Sequence, residues 1–428
     1  MVQKQPQLTM AQAHQHYLHY VTLARARREA DGMASLKIAG DAAHPGALYS
    51  LACMELRGLD GERFVKSASA KLTAAAKQGH SSARQTLAVM RALGIGGAAN
   101  WAEAIALVIQ SARAGDPGAL RELGLMTQMA QPGSALAAEL LLRAARAEDV
   151  LAILAVIKRA HGGASGATAA QVSYWTHALQ RVKHPRAMGL PRVEAPVGPP
   201  KPVAMTPLDE GRWAEIAALL SQAPSEERSA AVQISSSPTV FELKNLLSEE
   251  ECDYLVGLAG PLVAQSKVYN PLTGTSQINS VRTAGEAPFW LTNQTLVVHC
   301  LNMRMAKAAG LPVFCGETMN ILMYRQGDEY RPHFDFFSEN VRGMPDFARS
   351  GQRVRTLLTY LSDDFIAGQT HFLETGLKYR GRVGDAILFY NVLEDGSPDR
   401  TTKHAGLPVE QGVKWLASKW FRERKYWS

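Results

Sequence analysis

Tyr324-Arg-Gln-Gly-Asp-Glu-Tyr-Arg-Pro-His333-Phe-Asp335-Phe-Phe337 is the stretch on which the reading of this 428-residue chain turns. It presents an imidazole and a carboxylate two positions apart. In a strand, residues i and i+2 point to the same face. One further imidazole would complete a 2-His-1-carboxylate set, which leaves open positions on a non-haem Fe(II). His404, in Thr402-Lys-His404-Ala-Gly and sixty-nine residues beyond Asp335, is the candidate for that third ligand.

Working outward, everything after Ser237 has the texture of a β-rich domain. Short apolar runs, Thr239-Val-Phe-Glu-Leu243, Thr318–Tyr324, Val354–Tyr360, Ala386–Tyr390 and Val413–Phe421, alternate with Gly, Asp and Pro turns and read as strands. Two helices precede most of them. Leu247-Ser-Glu-Glu-Glu-Cys-Asp253 carries a serine cap with acids in the first turn, and Asn293 to Gly310 closes on a glycine. Six to eight strands with flanking helices fit an antiparallel double-stranded β-helix, or jelly roll.

The N-terminal part is of another kind. From residue 10 to about 183 it is rich in Ala and Leu at helical spacing, punctuated by Gly, Asp and Pro. Ala-His-Pro-Gly-Ala47, Gly-His-Ser-Ser-Ala83 and Gly-Asp-Pro-Gly-Ala119 align with their alanines 36 residues apart, and a fainter copy places Ala152 33 residues later. Such a period means stacked helical hairpins, each burying its apolar face on the next. Residues 182–207 hold seven prolines, which preclude helix and central strand. The expected organisation is therefore α + β multidomain: an α-helical repeat solenoid over 1–183, a proline-rich linker over 184–208, and the jelly roll over 209–428.

Composition bounds the function classes. The chain is 46% hydrophobic and 20% charged, with a formal net charge of +7 spread along its length, which does not argue for nucleic acid. The densest basic run, Arg422-Glu-Arg-Lys425, reads as a solvated terminus. Cys53, Cys252, Cys300 and Cys315 lack close ligand spacing, so a reduced compartment is expected. No leader-like N-terminus and no run of 18 apolar residues is present, so the expected setting is cytoplasmic, away from membranes.

The repeats, with a Gly- or Asp-bearing turn before an Ala-x-x-x-Leu helix, resemble Sel1-like repeats, relatives of the tetratricopeptide family. The C-terminal 190 or so residues resemble the prolyl 4-hydroxylase branch of the Fe(II)/2-oxoglutarate-dependent dioxygenases. The motifs fall in family order: Phe241-Glu-Leu-Lys-Asn-Leu-Leu-Ser-Glu-Glu-Glu-Cys252, Val281-Arg282-Thr283, Tyr330-Arg-Pro-His333-Phe-Asp335, Arg355-Thr-Leu-Leu-Thr-Tyr-Leu-Ser362, and His404-Ala-Gly-Leu-Pro-Val with Lys414-Trp ten residues on.

The resemblance implies Fe(II) on His333, Asp335 and His404, O2 as oxidant and 2-oxoglutarate as co-substrate, decarboxylated to succinate while a prolyl C–H becomes C–OH. Ascorbate is the implied reductant, as for procollagen-proline 4-dioxygenases. Lys414 is implied as partner of the far carboxylate of 2-oxoglutarate, on a strand consecutive with that of His404. Lys419, at an odd offset of five, falls on the opposite face. Tyr324 and Thr370 match hydroxyl donors to the co-substrate, and Arg282 and Trp420 match substrate-contacting positions.

There are departures from the family pattern. Ala284 stands where the family has serine, Ala367-Gly368 replaces a Gly-Gly turn, and Ser338–Gln352 is a long, partly charged loop suited to a lid. The expected partner is a peptide or protein recruited by the repeats. The alternatives are the same chemistry on a free amino acid or non-prolyl side chain, or a non-catalytic repeat scaffold whose barrel serves as a sensor.

Overall fold

Histidine and aspartate caps, placed by the repeat, open its helices. The computed structural model describes residues 8–58, 62–161, 166–181, 193, 206–224, 230–270, 275–278, 282–341 and 343–426. Among the described residues ten helices lie in the N-terminal part: α1 Met10–Arg25, α2 Glu29–Asp41, α3 Pro45–Arg57, α4 Glu62–Lys77, α5 Ser81–Leu93, α6 Trp101–Arg113, α7 Pro117–Ala130, α8 Ala135–Arg146, α9 Val150–His161 and α10 Ala169–Arg181. The four aligned alanines open α3, α5, α7 and α9 and are buried. His44 Nδ1 and His80 Nδ1 accept from the backbone N–H of Ala47 and Ala83 at 3.3 and 3.2 Å. Asp116 and Asp149 accept from Ala119 and Ala152 at 2.6 and 2.8 Å. The period therefore repeats a cap as well as a packing position.

Two compact units emerge. One comprises Met1–Gln128, Thr206–Ala223 and Trp290–Leu296; the other comprises Met129–Met205, Pro224–Phe289 and Val297–Ser428. Neither follows the boundaries read from the prolines, and most of the proline-rich stretch 184–208 lies outside the described residues.

In the first unit, helix α11 (Glu210–Leu219), whose sequence is compatible with packing on either side of the linker, packs on repeat helix α6. Arg113 holds Glu210 through two bonds of 2.7 and 2.8 Å, and Trp101 Nε1 donates to Leu220 O at 2.8 Å. In the second unit, repeat helix α9 docks on α12 (Glu249–Ala259) of the β-rich part. Lys158 donates to Glu249 at 2.8 Å, Arg159 holds Glu250 through two bonds of 2.8 Å, and Lys158 also pairs with Asp253. Gly257 allows the approach: a Cβ there would lie 2.3 Å from Leu151 Cδ2. Among the described residues no helix is long and apolar enough to cross a membrane.

The strands run in chain order: β1 Ala231–Ser236, β2 Thr239–Leu243, β3 Ala264–Gln265, β4 Lys267–Asn270, β5 Thr275–Ile278, β6 Gly285–Pro288, β7 Asn320–Tyr324 and β8 Tyr330–His333. They continue with β9 Arg353–Tyr360, β10 Phe365–Ala367, β11 Thr370–Phe372, β12 Lys378–Tyr379, β13 Ala386–Tyr390, β14 His404–Gly406, β15 Val409–Gly412 and β16 Lys414–Arg422.

An eight-stranded antiparallel sheet has the order β1-β2-β13-β9-β16-β7-β6-β3, and a four-stranded sheet the order β12-β11-β14-β8. Leu322, Leu358, Ile387 and Leu416 of the first sheet share one core with Phe372 and Tyr379 of the second. This is the expected jelly roll. Its flanking helices include α12, with the expected serine cap completed by Glu251, and α13 (Leu296–Ala308).

Candidate metal centre

The alternation of β8 and β14 brings two imidazoles together, because His404 and His333 are register partners across the four-stranded sheet. Their ring centroids lie 4.3 Å apart. The strand reading of Asp335 requires a correction, since β8 ends at His333 and Asp335 lies in a bend beyond it. The carboxylate still reaches both rings, with His333 Nε2 3.6 Å from Oδ1 and His404 Nε2 3.8 Å from Oδ2. The three ligand atoms lie within 4.8 Å of one another. Donors about 2.1 Å from one ion lie at most about 4.2 Å apart, so both carboxylate distances suit a shared ion.

Hydrogen bonds from the imidazoles to main-chain carbonyls fix the orientation of each ring. His333 Nδ1 bonds Arg331 O at 2.8 Å, and His404 Nδ1 bonds Thr402 O at 2.9 Å. A carbonyl only accepts, so each Nδ1 carries a hydrogen and each Nε2 is turned toward Asp335. Burial, then His333, pushes the His404 imidazole down to about 4. Burial opposes the charge of Asp335, but His404 and His333 outweigh it and hold the carboxyl below the usual range. An imidazole that gives up its proton readily at His404 and a carboxylate that stays ionised at Asp335 suit a divalent cation. Thr356 Oγ1 donates to Asp335 Oδ2 at 2.8 Å and accepts from Asn391 Nδ2 at 2.9 Å, which orients the carboxylate from behind.

All eight residues singled out from the sequence, Arg282, Tyr324, His333, Asp335, Thr370, His404, Lys414 and Trp420, line one cavity. Lys414 is the register partner of Tyr324 and is buried. Its Nζ donates to Gly368 O at 2.8 Å and lies 5.1 and 5.4 Å from the rings of Tyr324 and Tyr360. Burial pushes the ammonium down to about 7. Thr370 Oγ1 and Tyr360 OH lie 3.0 Å apart. Lys419 is turned off the cavity, as expected, with Nζ on Glu317 O.

Several expectations change in detail. His404 and Lys414 are not on consecutive strands: β15 intervenes and carries the chain across, so the imidazole stands on the four-stranded sheet and the ammonium on the eight-stranded one. The turn that receives Lys414 is strained, with Ala367 at φ +63° before Gly368 at +64°. Arg282 is ion-paired with Glu286 and lies 5.4 Å from the Tyr330 ring. Trp420 sits under the Arg353 guanidinium at 4.0 Å, and its Nε1 has no hydrogen-bond partner. His371 faces away, opposite Ala405 and Lys378.

Arg422, read as part of a solvated terminus, is buried and donates to Gly351 O, Asp346 and Glu317. Thr356, Tyr360 and Asn391 were not singled out. Strand parity offers the signal for two of them, because Thr356, Leu358 and Tyr360 alternate onto one face of the quoted motif.

Residues 319–422 match the family model of the 2OG-Fe(II) oxygenase superfamily. A probable prolyl 4-hydroxylase 3 of Arabidopsis thaliana is 32% identical over 212 residues, covering 45% of this chain and 72% of the relative. Among solved structures, the viral collagen prolyl hydroxylase of Paramecium Bursaria Chlorella virus-1, in its 2OG complex, is 23% identical, covering 43% of this chain and 95% of that one (TM-score 0.33). A Sel1 repeat protein from Oxalobacter formigenes is 21% identical, covering 42% and 76% (TM-score 0.34).

Proposed function

The chain belongs to the 2OG-Fe(II) oxygenase superfamily alongside the prolyl 4-hydroxylases, and from that premise we propose that this 2-oxoglutarate-dependent dioxygenase hydroxylates a prolyl residue of a peptide or protein. The observation that carries the proposal is one cavity that holds a His, His, Asp set, with its two imidazoles on the four-stranded sheet, and a buried lysine on the eight-stranded sheet. His333 Nε2, His404 Nε2 and the Asp335 carboxylate would hold Fe(II). Bound iron, with 2-oxoglutarate and O2, supplies the oxidising chemistry, and 2-oxoglutarate leaves as succinate.

The chain's own residues bind, orient and exclude water. Lys414 is the counter-ion for the distal carboxylate of 2-oxoglutarate, since burial leaves it short of an anion. Thr370 and Tyr324, on the walls to either side, are hydroxyl donors to the same molecule. Trp420 Nε1, a donor without a partner at the cavity wall, is suited to a substrate carbonyl, and Arg282 with Glu286 forms a polar rim. The helical repeats recruit the protein target, ascorbate maintains the iron, and the four free thiols suit a reducing, cytoplasmic setting.

The test is succinate release from Fe(II), ascorbate and 2-oxoglutarate, with and without proline-rich peptides, repeated with His333→Ala. Peptide-stimulated succinate that disappears in the variant is expected. Stimulation by free amino acids alone would refute the peptide substrate, and no succinate under any condition would leave a sensor barrel.

A further inference from the structure

Asp335 has no strand of its own to hold it. The ladder ends at His333, and among the described residues no backbone hydrogen bond outside the ladders involves residues 334–336. The next fixed point of the chain is Phe337, two residues past the carboxylate.

There the Gln352 side chain behaves as a strand partner would. Phe337 N donates to Gln352 Oε1 at 2.6 Å, and Gln352 Nε2 donates to Phe337 O at 2.9 Å. Gln352 is itself buried, its Oε1 also accepts from Arg353 N at 2.9 Å, and its backbone carbonyl accepts from Glu423 N. The Phe337 ring lies 4.7 Å from the guanidinium carbons of both Arg353 and Arg422. Both cations are tied to Glu317, Arg353 by bonds of 2.7 and 2.8 Å and Arg422 by one of 3.2 Å.

We infer that Gln352 is a positioning residue for the metal centre: by pinning the Phe337 backbone it completes a five-residue span, His333 to Phe337, that sets where the Asp335 carboxylate meets the two imidazoles. The inference rests on the metal reading of His333, Asp335 and His404. Its chemistry is that of an outer hydrogen bond orienting a ligand, acting here through the main chain, a class whose loss costs metal affinity about 10–100-fold.

The test uses the full-length protein with Co(II) as probe, whose d–d absorption reports coordination geometry without turnover. Gln352→Met keeps the side-chain volume and deletes both bonds to Phe337. Its Co(II) dissociation constant should rise at least about tenfold, with altered d–d bands. A repeat-core truncation, Leu72→Ala, provides a destabilised control that should bind Co(II) as the unaltered protein does. Gln352→Glu keeps the acceptor but sets a second acceptor against Phe337 O. It should move affinity in the same direction, so the inference remains exposed even if Gln352→Met does not fold. Wild-type affinity and spectrum in the folded Gln352 variants would overturn the inference and leave the metal reading standing. An unaltered protein that binds no Co(II) would overturn the metal reading, and the inference with it.

Discussion

Replacing Lys414 by methionine should make the ligand-free protein more stable and the 2-oxoglutarate complex unattainable. The ammonium is buried, its hydrogen bond is to the carbonyl of Gly368, and burial lowers it from 10.5 to about 7. At about 1.4 kcal/mol per tenfold change in the proton equilibrium, that fall corresponds to roughly 5 kcal/mol opposing the cation in the folded state. Apolar replacement of buried ionic groups returns about 1–4 kcal/mol once packing relaxes, and that is the expected gain at pH 7.

The sign with pH follows from the depressed value. Between about 7 and 10.5 the unfolded chain holds a proton that folded Lys414 has released, so wild-type stability rises with pH across that window and is flat for this group below it. Lys419 is likewise lowered to about 7, so Lys414→Met should retain about half of the slope. Thermal denaturation of metal-free protein from pH 7 to 10 measures both effects. With Mn(II) in place of iron, 2-oxoglutarate at a hundredfold over its Kd should add about 2.7 kcal/mol to the wild type and nothing to the variant. A variant less stable than wild type that is still protected by 2-oxoglutarate would refute the reasoning.

Four further outcomes follow from the same contacts. Thr356→Val removes the donor to Asp335 Oδ2 and leaves Asn391 Nδ2 without its acceptor, so Co(II) affinity should fall about tenfold by titration. Ala367→Gly relieves a left-handed alanine and should raise the free energy of unfolding, measured by denaturant titration, by about 0.5–1 kcal/mol, with Lys414 undisturbed. Gly257→Ala drives a Cβ into Leu151 and should cost about 1–3 kcal/mol, part of which Leu151→Ala restores in a double-mutant cycle. Burial lowers the His44 and His80 imidazoles, so acid protonates the unfolded chain first and stability is lost as pH falls below about 6.5. Each protonated cap should cost about 1 kcal/mol, and His44→Asp with His80→Asp should flatten the denaturation profile between pH 7 and 5.

What the sequence made legible was local. Thr239–Leu243 and Ala386–Tyr390 are strands with the ends their apolar runs suggested, because alternation and turn residues act over a few positions. The spacing of the anchor alanines was legible for the same reason, and the caps beneath it follow from residues three positions earlier. Partnership across the fold was not legible. Nothing in Val150–His161 announces that Lys158 and Arg159 meet the acids of α12, since charge on a helix reads as solvated until its neighbour is known. The same ambiguity made Arg422 look like a terminal surface charge, although the fold surrounds it with acceptors. The crossing made by Val409–Gly412 reassigns Lys414 to the opposite sheet, and a one-strand miscount of that kind leaves side-chain parity intact while moving the wall.

That crossing has a chemical consequence. No ion pair joins Lys414 to Asp335, although both line the same cavity. Had the ammonium stood beside the carboxylate, each would have satisfied the other, and the cavity would have been neutral and closed to charged ligands. With Lys414 on the eight-stranded sheet and Asp335 in the bend just beyond β8, the two charges stay apart. Asp335 with its two imidazoles is arranged for a cation, and Lys414, held by the Gly368 carbonyl and two tyrosine rings with no carboxylate bonded to it, is arranged for an anion. A chain that tolerates both in its interior fits a molecule that must reach from one to the other, chelating a metal at one end and carrying a carboxylate at the far end. The separation of the two groups, rather than the presence of either, is what the proposed binding of a dicarboxylate beside a ferrous ion requires.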